Sequence, residues 1–104
     1  MKEYKIYINN SVEEQIYEIA AWYELKSVNL GTEFLNYFDE NINEISYNPY
    51  SCVIAFDNFR RKFMNKFPYL IFYFVNEEKF EIDILGVYHT SRNPKFIKNS
   101  ILIK

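Results

Sequence analysis

The feature that most constrains this chain is the run at 69–75, Tyr-Leu-Ile-Phe-Tyr-Phe-Val, apolar at every position. A strand with one wet face alternates apolar and polar residues, so an unbroken apolar run of strand length reads as a central strand covered on both sides. The run is far short of the roughly 20 residues a helix needs to cross a bilayer, and no membrane association is expected. Period two holds on either side of it, at 59–64 and at 80–88. Asn65-Lys66 and Asn76-Glu77-Glu78-Lys79 separate the segments. The pattern predicts three successive antiparallel strands.

Upstream, Tyr4, Ile6 and Ile8 alternate before Asn9-Asn10, which predicts a strand over 3–9. Ser11 followed by Glu14 has the spacing of a capping box, so a helix is expected to begin there and run to about residue 27. Val12, Ile16, Ile19, Ala20 and Tyr23 form its apolar face, with Glu13, Glu14, Glu18 and Glu24 mostly on the other sides. After Val28-Asn29, Leu35, Phe38, Ile42 and Ile45 repeat the helical spacing until Asn48-Pro49 stops it. Residues 50–58 have no clear period and are expected to form a loop that carries Cys52 and a short extended piece.

The resulting order is β-α-α-β-β-β, an α+β two-layer fold with a helical hairpin packed on one face of a mainly antiparallel sheet. With 104 residues, the chain has room for one core, and a single domain over 1–104 is expected. A hairpin can roof only one face of the central strand. The other must be capped by the tail 96–104, with Phe96, Ile97, Ile101, Leu102 and Ile103, by a second copy in a homodimer, or by a different protein.

Composition narrows the function classes. At 49% hydrophobic and 25% charged, with two Gly and three Pro, the chain is neither disordered nor collagenous. Cys52 is the one cysteine, and Met1-Lys2-Glu3-Tyr4-Lys5 lacks the apolar core of a secretory signal. A cytoplasmic location is the expectation. One His and one Cys are too few for a zinc centre, and Gly31 and Gly86 cannot make a phosphate loop. No metal and no cofactor are expected. The net charge of −2 hides a polarity: residues 1–58 carry three cations against ten carboxylates, net −7, and residues 59–104 carry nine against four, net +5. Ten Tyr, ten Phe and one Trp exceed what one small core ordinarily needs, so some of this surface is expected to meet a partner.

Two clusters carry chemistry. Arg60, Arg61, Lys62 and Lys66 follow one another with no acid between them. On a strand, Arg60 and Lys62 share one face while Arg61 joins Phe59 and Phe63 on the other, so only part of the cluster can act together. The bland alternative is a solvated edge that resists aggregation. The second cluster, Tyr88, His89, Ser91 and Arg92 ahead of Asn93-Pro94-Lys95, sits past the last strand. A proton-exchanging imidazole and a two-pronged guanidinium suit phosphodiester chemistry or an acidic surface. They equally suit structural roles, with His89 bonding a backbone group and Arg92 pairing with a helix carboxylate such as Glu18 or Glu24. Ser91 and His89 have no orienting acid beside them, which argues against a hydrolase triad.

The stretches Arg60-Arg61-Lys62-Phe63, Phe67-Pro68-Tyr69-Leu70-Ile71-Phe72-Tyr73 and Ile84-Leu85-Gly86-Val87-Tyr88-His89-Thr90-Ser91-Arg92-Asn93-Pro94 resemble the RelE/ParE superfamily of bacterial toxins. The aromatic-Pro-Tyr strand and the His-x-x-Arg-x-Pro ending are the specific parts, and the likeness covers about residues 4 to 96. It implies the toxin of a type II toxin–antitoxin module, associated with plasmid stabilisation and growth inhibition and neutralised by a cognate antitoxin. Such an antitoxin would lay apolar side chains on the aromatic surface and carboxylates against Arg60, Lys62 or Arg92. RelE-like members cleave messenger RNA in the ribosome and ParE-like members poison DNA gyrase. The cleaving branch has an arginine one residue after the aromatic that matches Tyr69, and Leu70 stands there. With the acidic pI near 5.4, this favours the ParE-like side. On that reading Arg60, Arg61, Lys62, Tyr69, Tyr73, His89 and Arg92 are contact or structural residues. On the cleaving alternative His89, Arg92 and Tyr88 would share the catalysis. An inactive relative that dimerises through an uncovered sheet face is the third reading.

Overall fold

The alternation at the start of the chain becomes strand β1 (Lys5–Ile8), and Asn9 turns it into helix α1 (Asn10–Lys26). In this computed structural model, which describes residues 3–103, the capping role falls to Asn9 and not to Ser11. Asn9 is extended, with φ −80° and ψ 170°, and its Oδ1 accepts from the Val12 N–H at 3.0 Å. The Ser11 hydroxyl is already inside the helix and donates to the same Oδ1 at 2.9 Å. Only a non-helical residue can aim its side chain back at the free amides of the first turn. The expected Ser11–Glu14 capping box is therefore corrected.

Helix α2 (Leu30–Tyr47) follows after three residues and ends where Pro49 stands at the head of a single 3-10 turn (Pro49–Ser51). Its first turn has no side-chain cap of its own, because Asn29 is left-handed at φ 71°. Glu24 of α1 supplies the acceptors instead, taking the Asn29 and Gly31 amides at 2.9 and 3.0 Å. A carboxylate there also complements the positive end of the helix dipole. The helices approach so closely at this end that a Cβ on Gly31 would lie 2.4 Å from the Ala20 carbonyl oxygen.

Four more strands complete the sheet: β2 (Ile54–Phe56), β3 (Phe59–Phe63), β4 (Tyr69–Asn76) and β5 (Glu81–His89). The short extended piece expected in 50–58 is β2. Their order is β1-β5-β4-β3-β2, with β1 parallel to β5 and every other pair antiparallel, so the all-apolar segment is the central strand.

One face of the sheet receives the hairpin. Val12, Ile16 and Ala20 of α1 and Phe34, Phe38 and Ile45 of α2 pack with Met64, Phe67, Ile71, Tyr73, Ile82, Ile84 and Val87. Each such aliphatic side chain contributes about 1.5–3 kcal/mol by leaving water. The Tyr73 phenol, fully buried, donates to the Pro49 carbonyl at 2.6 Å, which meets its bonding requirement and pins the 3-10 turn to the central strand.

The other face is closed in part by the chain's own tail. Residues 94–102 form helix α3 (Pro94–Leu102), with Asn93 Oδ1 accepting from Lys95 N–H at 2.8 Å and Pro94 opening the helix. Ile97 and Ile101 bury themselves against Phe72 and Tyr88. Of the three caps the sequence left open, the tail occupies this position, and Lys104 lies outside the described residues. Phe59, Leu70 and Phe74 beyond α3 are half-buried, and Phe63 is 48% exposed.

Candidate functional site: an aromatic groove at the end of the sheet

The register between β4 and β5 breaks once, next to the groove. Phe72 pairs with Gly86 but Tyr73 pairs with Ile84, which leaves Leu85 as the extra residue of a bulge in β5. The bulge resets the alternation: Ile82, Ile84 and Val87 all face the hairpin, while Leu85 and Tyr88 pack on the α3 side. Simple alternation from Ile82 would have put Tyr88 on the hairpin side and His89 opposite. The bulge reverses both. Two residues past the bulge, the Val87 N–H donates to Gln15 Oε1 of α1 at 3.0 Å.

His89 thereby lands beside Tyr69, its partner across the strands, with ring centroids 5.2 Å apart and nearly perpendicular. Both line a groove of about 780 Å³ walled by Gln15, Glu18, Ile19, Trp22 and Tyr23 of α1 and by Phe96 and Ser100 of α3, with Arg92 between them. Its aromatic wall is continuous: Trp22 meets Tyr23 edge-on at 5.2 Å, and Tyr23 meets Tyr69 at 6.4 Å. Burial pushes the Tyr69 phenol above its ordinary pKa, with the Arg92 charge acting in opposition. Tyr23 is raised by burial and then by Tyr69. Both phenols are neutral donors at physiological pH.

Arg92 makes no carboxylate ion pair within 4 Å among the described residues. Its guanidinium lies over the Phe96 ring, 4.6 Å from the centroid. The expected pairing with Glu18 or Glu24 does not form: Glu24 caps α2, and Glu18 lines the groove unbridged. His89 does bond a backbone group, since Nδ1 accepts from the Ser91 N–H at 3.0 Å, with Ser91 Oγ at 2.8 Å. The neutral ring consequently carries its proton on Nε2.

Tyr69, Tyr88, His89 and Arg92 are brought together here. Arg60, Arg61, Lys62 and Tyr73 are elsewhere. Arg60 and Lys62 sit opposite Tyr73 and Ile71, on the hairpin side of the sheet. The Arg60 guanidinium donates to the Cys52 carbonyl at 2.6 Å and covers the Tyr50 ring at 4.9 Å, and Lys62 bridges Glu44 of α2 at 2.9 Å. These two cations hold the hairpin side together. Arg61 points to the opposite face and is exposed. Sequence reasoning assigned Tyr23 to the apolar face of the helix and Glu18 to its other sides as a possible partner of Arg92, and it singled out neither Trp22 nor Gln15. Helical spacing separates inward from outward residues, but it does not mark a residue on the boundary that borders a groove.

A guanidinium without a carboxylate partner among the described residues, two neutral phenols and an imidazole line a cleft with aromatic walls and offer it hydrogen-bond donors. Such a cleft accepts an apolar segment carrying an acid, or stacked bases with a phosphate. Among the described residues no helix is long and apolar enough to cross a membrane. A family model described as ParE toxin of type II toxin-antitoxin system, parDE, matches residues 6–94, from β1 to the first residue of α3. No curated protein matches the chain.

Proposed function

The chain belongs to the ParE toxin family of type II toxin–antitoxin systems, and from that premise we propose that it arrests bacterial growth by binding DNA gyrase and is neutralised by a cognate antitoxin seated in the aromatic groove. Membership of the family implies an antitoxin partner. The observation that carries the groove assignment is Arg92, a guanidinium stacked on Phe96 with no acid of its own, at the edge of the wall formed by Trp22, Tyr23 and Tyr69. An antitoxin helix with an extended continuation would place apolar side chains along that wall and a carboxylate on Arg92. Leu70 in place of a strand arginine, and a His89 Nδ1 already engaged by Ser91, support binding over bond cleavage. Induction of the lone chain should stop growth, co-expression of the adjacent small gene should restore it, and purified chain should inhibit gyrase supercoiling. Unimpaired growth with soluble, folded chain would overturn the toxin reading, and unaffected supercoiling would remove gyrase.

One observation favours a second reading: Tyr69, His89 and Arg92 share one groove, where a ribose phosphate of messenger RNA could meet a phenol, an imidazole and a guanidinium. Mapping transcript ends after induction decides it. New ends that vanish in Arg92→Ala mark a ribosome-dependent nuclease, and unchanged ends exclude one.

A further inference from the structure

The side of α1 turned away from the core carries a row of apolar residues among its carboxylates, where a solvent-facing helix is ordinarily polar throughout. Tyr17, Ala21 and Leu25 stand at spacings of four and four, which lines them up along the helix, and Val28 follows in the link just beyond it. Tyr17 is 59% exposed, Leu25 86% and Val28 81%. Single exposed apolar residues need no explanation, but a row of them does. Tyr17, Leu25 and Val28 do not line the groove, which takes Gln15, Glu18, Ile19 and Trp22 from the adjoining side of the same helix, with Glu18 on the border between the two.

Charge specifies the occupant. Glu13, Glu14 and Glu18 flank the ridge, all exposed and none within 4 Å of a cation among the described residues. Lys26, the one cation in α1, is drawn aside over the Trp22 ring at 4.7 Å. Two copies meeting through this ridge would bring no free α1 cation to these acids, so a cationic partner is favoured over self-association. We propose that the outer ridge of α1 docks a basic amphipathic helix of another protein, its apolar side chains against Tyr17, Leu25 and Val28 and its Lys or Arg residues against Glu13, Glu14 and Glu18.

Trp22, the only tryptophan, borders the ridge and reports on it by fluorescence. The probe is an amphipathic Leu/Lys peptide of about five helical turns, with a Leu/Glu peptide of the same pattern as control. The Leu/Lys peptide should bind the full chain saturably at one to one, more weakly as salt rises, and the Leu/Glu peptide should not bind. Leu25→Ser with Val28→Ser keeps every charge and should weaken binding at least tenfold, as should Glu13→Lys with Glu14→Lys. These positions are exposed, and circular dichroism should be unchanged. Equal binding by the serine variant would mean charge attraction alone and overturn the proposal. So would no binding at all, or a loss in Phe96→Ala as large as in the serine variant, which would put the seat in the groove. A dimer of the chain alone that the serine variant abolishes would assign the ridge to a second copy and overturn it as well.

Discussion

Gln15 and Val87 are 72 residues apart, yet the Gln15 side-chain oxygen accepts from the Val87 N–H, two residues past the β5 bulge, at 3.0 Å. The contact joins α1 to the strand that carries Tyr88 and His89, and it ties the groove's two walls at the point where the strand changes face.

Removing that acceptor leaves a half-buried N–H unpaired. Gln15→Ala is expected to cost about 1–3 kcal/mol in urea unfolding and to speed hydrogen exchange at Val87. Gln15→Glu, which keeps an acceptor in reach, should retain the slow exchange.

Arg92 is the groove's free cation, and its loss should fall on binding and not on folding. Arg92→Ala is expected to weaken the complex with the cognate antitoxin by at least tenfold, equivalent to about 1.4 kcal/mol, with an unchanged melting temperature. Arg92→Lys should restore part of the affinity, because an ammonium keeps the charge but loses the planar face that lies on Phe96. Isothermal calorimetry reads both.

Gly31 is required by proximity. A methyl group there would sit 2.4 Å from the Ala20 carbonyl oxygen, a backbone atom that can move only if the two helices part. Gly31→Ala should destabilise the chain by about 1–3 kcal/mol, although alanine is the better helix former. Thermal unfolding should show it as a lowered melting temperature.

Glu77 gives the fold a signature in pH. Tyr50 and Tyr4 both donate to its Oε1, which holds the carboxyl below its usual range. The same bonds raise the phenols, and Tyr50 is pushed up to about 12. For Glu77, the folded value lies below the unfolded one, so its stabilising contribution is present above roughly pH 4.3 and is lost as pH falls through the folded value. For Tyr50 the folded value lies above, so its contribution is whole below roughly pH 10 and is lost as pH rises through about 12. The stability difference between wild type and Glu77→Gln in denaturant unfolding should therefore be widest between these limits and shrink at both ends.

Much of the architecture was legible because local chemistry announces it. The apolar run at 69–75 identified the central strand, the stripes of α1 and α2 the hairpin, and Asn48-Pro49 its end. Strand alternation also placed Arg60 and Lys62 on one face and Arg61 on the other. The tail helix carried a readable signal, Asn93 before Pro94 with Ile97 and Ile101 one turn apart, though the tail's conformation had been left open. The cap at Asn9 was misplaced because Ser11–Glu14 has the same spacing signature, and only the backbone angles say where helix begins.

The groove was legible only by half. That Tyr69, Tyr88, His89 and Arg92 belong near one strand end follows from the motif alone. Their facing follows from a single bulged residue, Leu85, which reverses every side chain after it; Gly86 beside it is the one mark in the sequence, and a strand glycine signals a bulge without saying which residue is extra. Whether a cation is free or spent is likewise a tertiary matter: Arg60 meets a carbonyl and Lys62 a helix carboxylate, whereas Arg92 lies over a ring with no carboxylate within 4 Å among the described residues. Period and composition determine which residues are buried and in what element, because burial follows from neighbours a few residues away. Which charges remain available to a partner depends on contacts between residues far apart in the chain, and those exist only once it has folded.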